Sequence, residues 1–240
     1  MDALFGQRKI KLSALSDFSQ LNKTTRAHLK NVYSCLAIAM LSAAVGAYVH
    51  LFTGILEAGF LTSIAGLGML IWLGMTRDDG TNQAKRLGLL SGFAFFTGLS
   101  LGPLLYVVAR IDIQIIPAAF MGTCVIFGCF SLAALWAQRR SFLFLGGTLF
   151  SGLSILMLMS LLNIFLGSTL IFRVEMYLCL AVFMGFVLFD TQLIVEKCNN
   201  GDKDYIWHSV DLFLDFINIF RQLMIIMAMN NNNNKDKRKK

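Results

Sequence analysis

The stretch MGFVLFDTQLIVE, residues 184–196, sets one aspartate, Asp190, into a run that otherwise suits hydrocarbon. Val187, Leu188 and Phe189 precede it, and Leu193, Ile194 and Val195 follow. An ionised carboxylate inside a membrane costs about 2.5–3.5 kcal/mol on insertion scales. A chain that carries one needs a partner for the acid or a use for it.

The apolar setting is general. Of 240 residues, 56% are hydrophobic and 15% charged, with 21 phenylalanines and two prolines. A soluble domain carries about a quarter charged residues, and mean hydropathy here is +0.65. Six apolar segments run over about 30–52, 55–76, 87–109, 113–137, 142–164 and 169–196, each near the ~20 residues that a spanning helix needs. The polar stretches RDDGTNQAKR (77–86) and QRRS (138–141) separate spans two and three, and spans four and five. The fold class is therefore all-α: a polytopic membrane helix bundle in a lipid bilayer. An arm over 1–29 precedes the bundle over 30–229, and an Asn-rich linker and basic tail follow over 230–240. The arm has no apolar core of a cleavable signal, so the first span is expected to act as its own insertion signal. Thr24 and Thr25 are candidate caps for it. Gly88/Gly92 and Gly98/Gly102 each form a G-x-x-x-G in span three, a spacing that lets helices approach closely.

A seventh segment, YIWHSVDLFLDFINIFRQLMIIMAM over 205–229, is long enough to span but carries His208, Asp211, Asp215, Asn218 and Arg221. It cannot face lipid all round, so it is expected to be central in the bundle or re-entrant. Tyr205 and Trp207 read as interface anchors, His208 as a solvent-facing residue near the loop, and Arg221 as snorkelling or pairing with an acid.

Charge sets the orientation. With the N-terminus in the cytosol, the arm and the loops around Arg77–Arg86, Arg139–Arg140 and Lys197–Lys203 are all cytosolic, and the opposite loops hold only Arg110 and Arg173. This obeys the positive-inside rule. The tail KDKRKK (235–240) fits only if it too is cytosolic. The net charge of +7 sits at the termini rather than on a soluble face, which excludes a nucleic-acid partner. The five cysteines, Cys35, Cys124, Cys129, Cys179 and Cys198, make no disulfide framework, and the three histidines are too scattered for a zinc site.

The loop KCNNGDKDY (197–205) is short, so segments six and seven are antiparallel neighbours. Asp190 lies about 9 Å before Glu196 and Asp215 about 15 Å beyond Tyr205, at 1.5 Å per residue. The two acids share a depth and can meet. Asp204, His208, Asp211 and Asp215 follow i, i+4, i+7, i+11 spacing, a secondary acidic face on one side of the helix. Two buried carboxylates can share a proton, since like charges in a dry site do not both ionise cheaply. They can hold a cation: calcium wants six to eight oxygens, so a site on Asp190 and Asp215 would be weak and transient. They can activate water, although the G-x-G-D pattern of intramembrane aspartyl proteases is missing before Asp215. Or they can be a structural pair with no transport role. The protein is not expected to be an enzyme, and no tightly bound cofactor is expected.

GFVLFDTQLIVEK (185–197) together with GDKDYIWHSVDLFLDF (201–216) resembles the signature of the Bax inhibitor-1 family, the transmembrane Bax inhibitor motif proteins. HLKNVYSCLAIAM (28–40), KRLGLLSGFAFFTGLSLGP (85–103), PAAFMGTCVIFGCFSLAAL (117–135) and RRSFLFLGG (139–147) extend the likeness over nearly the whole chain. The resemblance implies a pH-sensitive calcium leak from the endoplasmic reticulum, suppression of apoptosis and modulation of endoplasmic-reticulum stress. It places a di-aspartyl pH sensor on Asp190 and Asp215, with a further acid at Asp211. It implies association with anti-apoptotic Bcl-2-type proteins and with the stress-sensing kinase of that membrane. Some bacterial members carry an arginine in span two near the aspartates; none stands between Glu57 and Arg77 here. Three readings follow: a calcium leak gated by the pair, with a proton/calcium exchanger as its variant; a membrane interaction protein without transport; and a hydrolase.

Overall fold

The computed structural model describes residues 22–53, 59–137 and 140–238. The arm up to Leu21, the start of span two around Glu57, Arg139 and the last two lysines lie outside the described residues. Seven helices follow in order: α1 (Lys23–Thr53), α2 (Phe60–Met75), α3 (Gln83–Ile111), α4 (Ile115–Trp136), α5 (Leu145–Leu166), α6 (Thr169–Asn199) and α7 (Tyr205–Arg238). Among the described residues six helices are long and apolar enough to cross a membrane, and α2, at 16 residues, is the short one. The protein is a multi-pass helical membrane bundle.

Local signals set the joints. Gly167, with φ 59°, closes α5 in the left-handed region that suits glycine. The next residue, Ser168, caps α6 by accepting from the Ile171 N–H. The Asp112 carboxylate accepts from the Gln114 N–H and turns α3 into α4. Thr24 and Thr25 are not caps: α1 begins at Lys23, whose N–H donates to the Asn22 side chain, and Thr25 donates instead to Asn199 at 3.0 Å.

The seventh segment proves central, not re-entrant. α7 is one unbroken helix packed against α1, α3, α4 and α6. Of its apolar window 61% is buried, against 11% for α5, which lies at the edge on α6. The reason is polarity: only a position inside the bundle lets an unbroken helix hide Asp215 and Gln222 from lipid. Its length carries Asn231 to the far end of the bundle, where its side chain donates to Asp112 at 2.9 Å. The start of α1 lies at the other end, beside Asn199. The two ends of the described helices are thus at opposite ends of the bundle.

Gly98 and Gly102 both let α1 approach closely, Gly98 against backbone and Gly102 against a side chain. A Cβ on Gly98 would stand 1.9 Å from the Ala43 carbonyl oxygen, one on Gly102 1.9 Å from the His50 ring, and one on Gly46 of α1 2.0 Å from the Phe95 carbonyl oxygen. In the first G-x-x-x-G, Gly92 meets the Met69 sulfur, whereas Gly88 has nothing within 4 Å. The two ends of α3 therefore respond differently to the same change. Gly98→Ala is expected to destabilise the detergent-solubilised protein by about 2–3 kcal/mol through overpacking against backbone. Gly88→Ala is expected to be neutral or stabilising by under ~1 kcal/mol. Thermal unfolding of both variants checks this, and equal melting temperatures would refute the tight α1–α3 seam.

Candidate functional site

Asp190, on α6, and Asp215, on α7, meet. Their carboxyl groups face each other within hydrogen-bonding reach, and Asp211, one turn earlier on α7, lies close enough to both to act on them electrostatically. Asp215 is 4% exposed and Asp190 half-buried, with Val187, Leu212, Phe213 and Phe216 sealed around them. Asp215 Oδ2 is buried with no donor aimed at it from another residue. A hydrogen bond between two carboxyls exists only while one of them holds a proton. Lys197, two turns along α6, acts on Asp190 and Asp211 and is the cation of the site. Among the described residues no group of three or more His, Cys, Asp or Glu is arranged to hold a metal. Beside the pair, the hydroxyls of Tyr33 (α1), Ser131 (α4) and Thr191 (α6) are buried together without an aligned partner.

The secondary acidic face is split among neighbours. Asp204 precedes α7 rather than lying on it. It accepts from the Trp207 N–H at 3.0 Å as the helix cap, and takes a two-pronged bond from Arg86 of α3 at 2.8 and 2.5 Å. Arg86 is 2% exposed, and Asp78 stands 3.9 Å from it. His208 is not solvent-facing but fully buried: its Nδ1 lies 2.9 Å from Nε2 of His28 on α1, and its Nε2 lies 3.4 Å from Asp202. With the His208 Nε2–H toward Asp202, its Nδ1 accepts from His28. Partial burial works against the charge on Asp202. The Asp204 N–H that donates to it, His208 and Lys197 outweigh that burial and hold its carboxyl below the usual range. A group depressed in this way keeps its stabilising charge at neutral pH and loses it only as pH falls through the lowered value. Trp207 is half-buried against Gly74 of α2 rather than anchored in the interface. Arg221 is exposed, makes no ion pair among the described residues, and acts electrostatically on Cys179 rather than on the aspartates.

The α4–α5 loop closes the same end. Arg140, in a left-handed conformation with φ 66°, reaches Glu196, and Gln192 accepts from the Phe142 N–H at 2.7 Å and donates to the Ala134 carbonyl at 3.1 Å. The hairpin of α6 and α7 that carries Asp190 and Asp215 is thus clasped from α1, α3 and the α4–α5 loop. Sequence reading missed this clasp because its members are distant in the chain; the one local signal was an arginine, Arg86, at the mouth of an apolar span.

Removing Arg86 leaves a partly buried Asp204 without its counter-charge. Arg86→Ala is expected to destabilise by about 2–3 kcal/mol, a fall of ~5–10 °C in melting temperature. Asp204→Asn keeps the cap but leaves the buried Arg86 guanidinium with only Asp78 near it, so it is expected to cost at least as much as Arg86→Ala. A melting temperature for Arg86→Ala within a degree or so of wild type would sink the assignment.

The model of the family described as "Inhibitor of apoptosis-promoting Bax1" matches residues 25–232. The chain is 56% identical to "Probable Bax inhibitor 1" of Paralichthys olivaceus and 53% identical to "Bax inhibitor 1" of Homo sapiens, over 97% of this chain and 97% of each relative. It is 42% identical to "Bax inhibitor 1" of Arabidopsis thaliana, over 96% of this chain and 92% of that protein. The match runs from α1 through α7, including the hairpin that pairs Asp190 with Asp215, and the chain belongs to the Bax inhibitor family.

Proposed function

We propose that this protein suppresses apoptosis from the endoplasmic-reticulum membrane, and that it does so as a pH-sensitive calcium leak gated by Asp190 and Asp215. Family membership supports the cell-death role. The single observation that carries the gate is the contact of two carboxyls from neighbouring helices in an otherwise apolar interior.

The chemistry runs through one proton. With a single shared proton the contact is a charge-assisted bond, roughly twice as strong as a neutral one. It ties α6 to α7 and closes the seam. Acid adds the second proton, removes the charge, weakens the tie and lets α7 shift. Calcium competes with protons for the same oxygens and passes as transported ion rather than resident metal; protein carbonyls and water complete its shell. Asp211 adds negative charge beside the pair, and Lys197 opposes it. The role is transport and not catalysis: Leu214 stands before Asp215, where an intramembrane protease needs glycine. Bcl-2-type partners and the stress-sensing kinase belong to the same proposal and rest on family membership alone. The cytosolic placing of the N-terminus, drawn from the loop charges, puts the Arg86–Asp204 clasp on the cytosolic side and the end of α7 on the lumenal side.

Calcium efflux from liposomes containing only the purified protein tests the gate. Wild-type efflux is expected to rise with acid, by at most about tenfold per pH unit for a one-proton step. Asp190→Asn and Asp215→Ala are each expected to flatten that profile. Unchanged flux and pH profile in both variants would remove the pair as the gate. No flux from the wild type would favour an interaction protein, and uphill calcium movement driven by a proton gradient would favour an exchanger.

A further inference from the structure

In the half of the bundle away from the α6–α7 loop, α1, α3, α4 and α7 diverge around a lateral groove of about 390 Å³. α1 lines it with an alanine strip, Ala43, Ala44 and Ala47; α4 contributes Phe120, and Phe216 and Phe220 of α7 form its floor. No lining side chain is charged, and the Tyr48 hydroxyl is its one polar side-chain group. We propose that this groove binds one acyl chain of a membrane lipid. The proposal goes beyond the ion reading and does not depend on it.

Three observations select the occupant. All four walls belong to helices long and apolar enough to cross the membrane, so the groove opens onto hydrocarbon. Its wall on α1 runs from Met40 to Phe52. That is about 18 Å at 1.5 Å per residue, close to the ~15 Å of one leaflet of a ~30 Å hydrocarbon core. Its volume falls within the ~300–1,000 Å³ of small-molecule sites. The groove is also built in advance. The Gly46 and Gly98 contacts lock α1 against α3 backbone to backbone, so two of its walls are fixed relative to each other. An occupant touches α7 through Phe216 and Phe220, on the helix that carries Asp215.

The test uses the full chain in phosphatidylcholine nanodiscs with a trace of phosphatidylcholine that carries a diazirine on one acyl chain. After irradiation, cross-links are mapped by peptide mass spectrometry. Labelling of the groove residues on α1 and α7 is expected to exceed that of the lipid-facing Leu158 and Leu162 on α5 by about fivefold. Ala47→Trp, which fills the groove, should abolish the excess while α5 labelling stays constant; Ala44→Phe serves the same purpose if the first variant does not fold. Equal labelling of groove and α5 overturns the proposal, as does an excess that survives in a folded filled variant. Displacement of the label by cholesterol but not by added saturated phosphatidylcholine overturns the acyl assignment in favour of a sterol.

Discussion

A helix bearing Asp211, Asp215, Asn218 and Gln222 has no stable place against lipid, and the architecture follows from that constraint. Burying such a helix needs neighbours on several sides. α1, α3, α4 and α6 supply them, while α5 is left at the edge. Polar groups of α7 find partners on two of these neighbours: Asp215 on α6 through Asp190, Gln222 on α6 through the Cys179 sulfur at 3.1 Å, and His208 on α1 through His28. Asp204, the cap before its first turn, finds Arg86 on α3. The bundle is organised around the polarity of one helix more than around the apolarity of the others.

The two halves of the bundle divide the work. Toward the α6–α7 loop, contacts are ionic and hydrogen-bonded, and they bind the hairpin to three other elements. Toward the other end, Leu101, Leu105, Val108, Ile115, Phe220 and Met224 form a separate apolar cluster with the lateral groove beside it. The aspartate pair lies between the two. A change in its proton count therefore acts on a helix held by polar clasps at one end and by side-chain packing at the other. A dry core transmits such a change because close-packed side chains have few intermediate arrangements.

Membrane insertion, helix number and the depth match of Asp190 and Asp215 were legible in the sequence, because each rests on local hydropathy and on a short loop whose length fixes antiparallel neighbours. The partner of Asp215 could be argued from rise per residue alone. What lay beyond reach depends on pairing across the chain. His208 looked solvent-facing because it follows a polar loop, yet α1 brings His28 over it. The i, i+4, i+7, i+11 spacing suggested one acidic face, but a helix packed against four neighbours divides such a face among them: Asp204 turns to Arg86 on α3 and His208 to His28 on α1. The tail was placed by counting charges, a preference of about a kilocalorie per residue near a membrane surface. The unbroken course of α7 is set by a larger cost, because a turn inside the membrane would strip backbone hydrogen bonds at several kilocalories each.

That comparison of magnitudes bears on how such a gate can work at all. Rupturing α7 to let an ion pass would expose peptide groups to hydrocarbon, a penalty no single protonation can offset, since one pH unit is about 1.4 kcal/mol. A tilt or rotation of an intact α7 leaves its internal ladder whole and changes only side-chain contacts. Within that allowance one proton matters: a charge-assisted bond weakened to a neutral one is worth about 1–2 kcal/mol, the same size as the energy that pH can supply. The continuity of α7 and the placing of a lone acid pair at its middle are therefore two parts of one requirement. In the proposed gate the helix stays folded while it moves, and the tie that restrains it is weak enough for a proton to release.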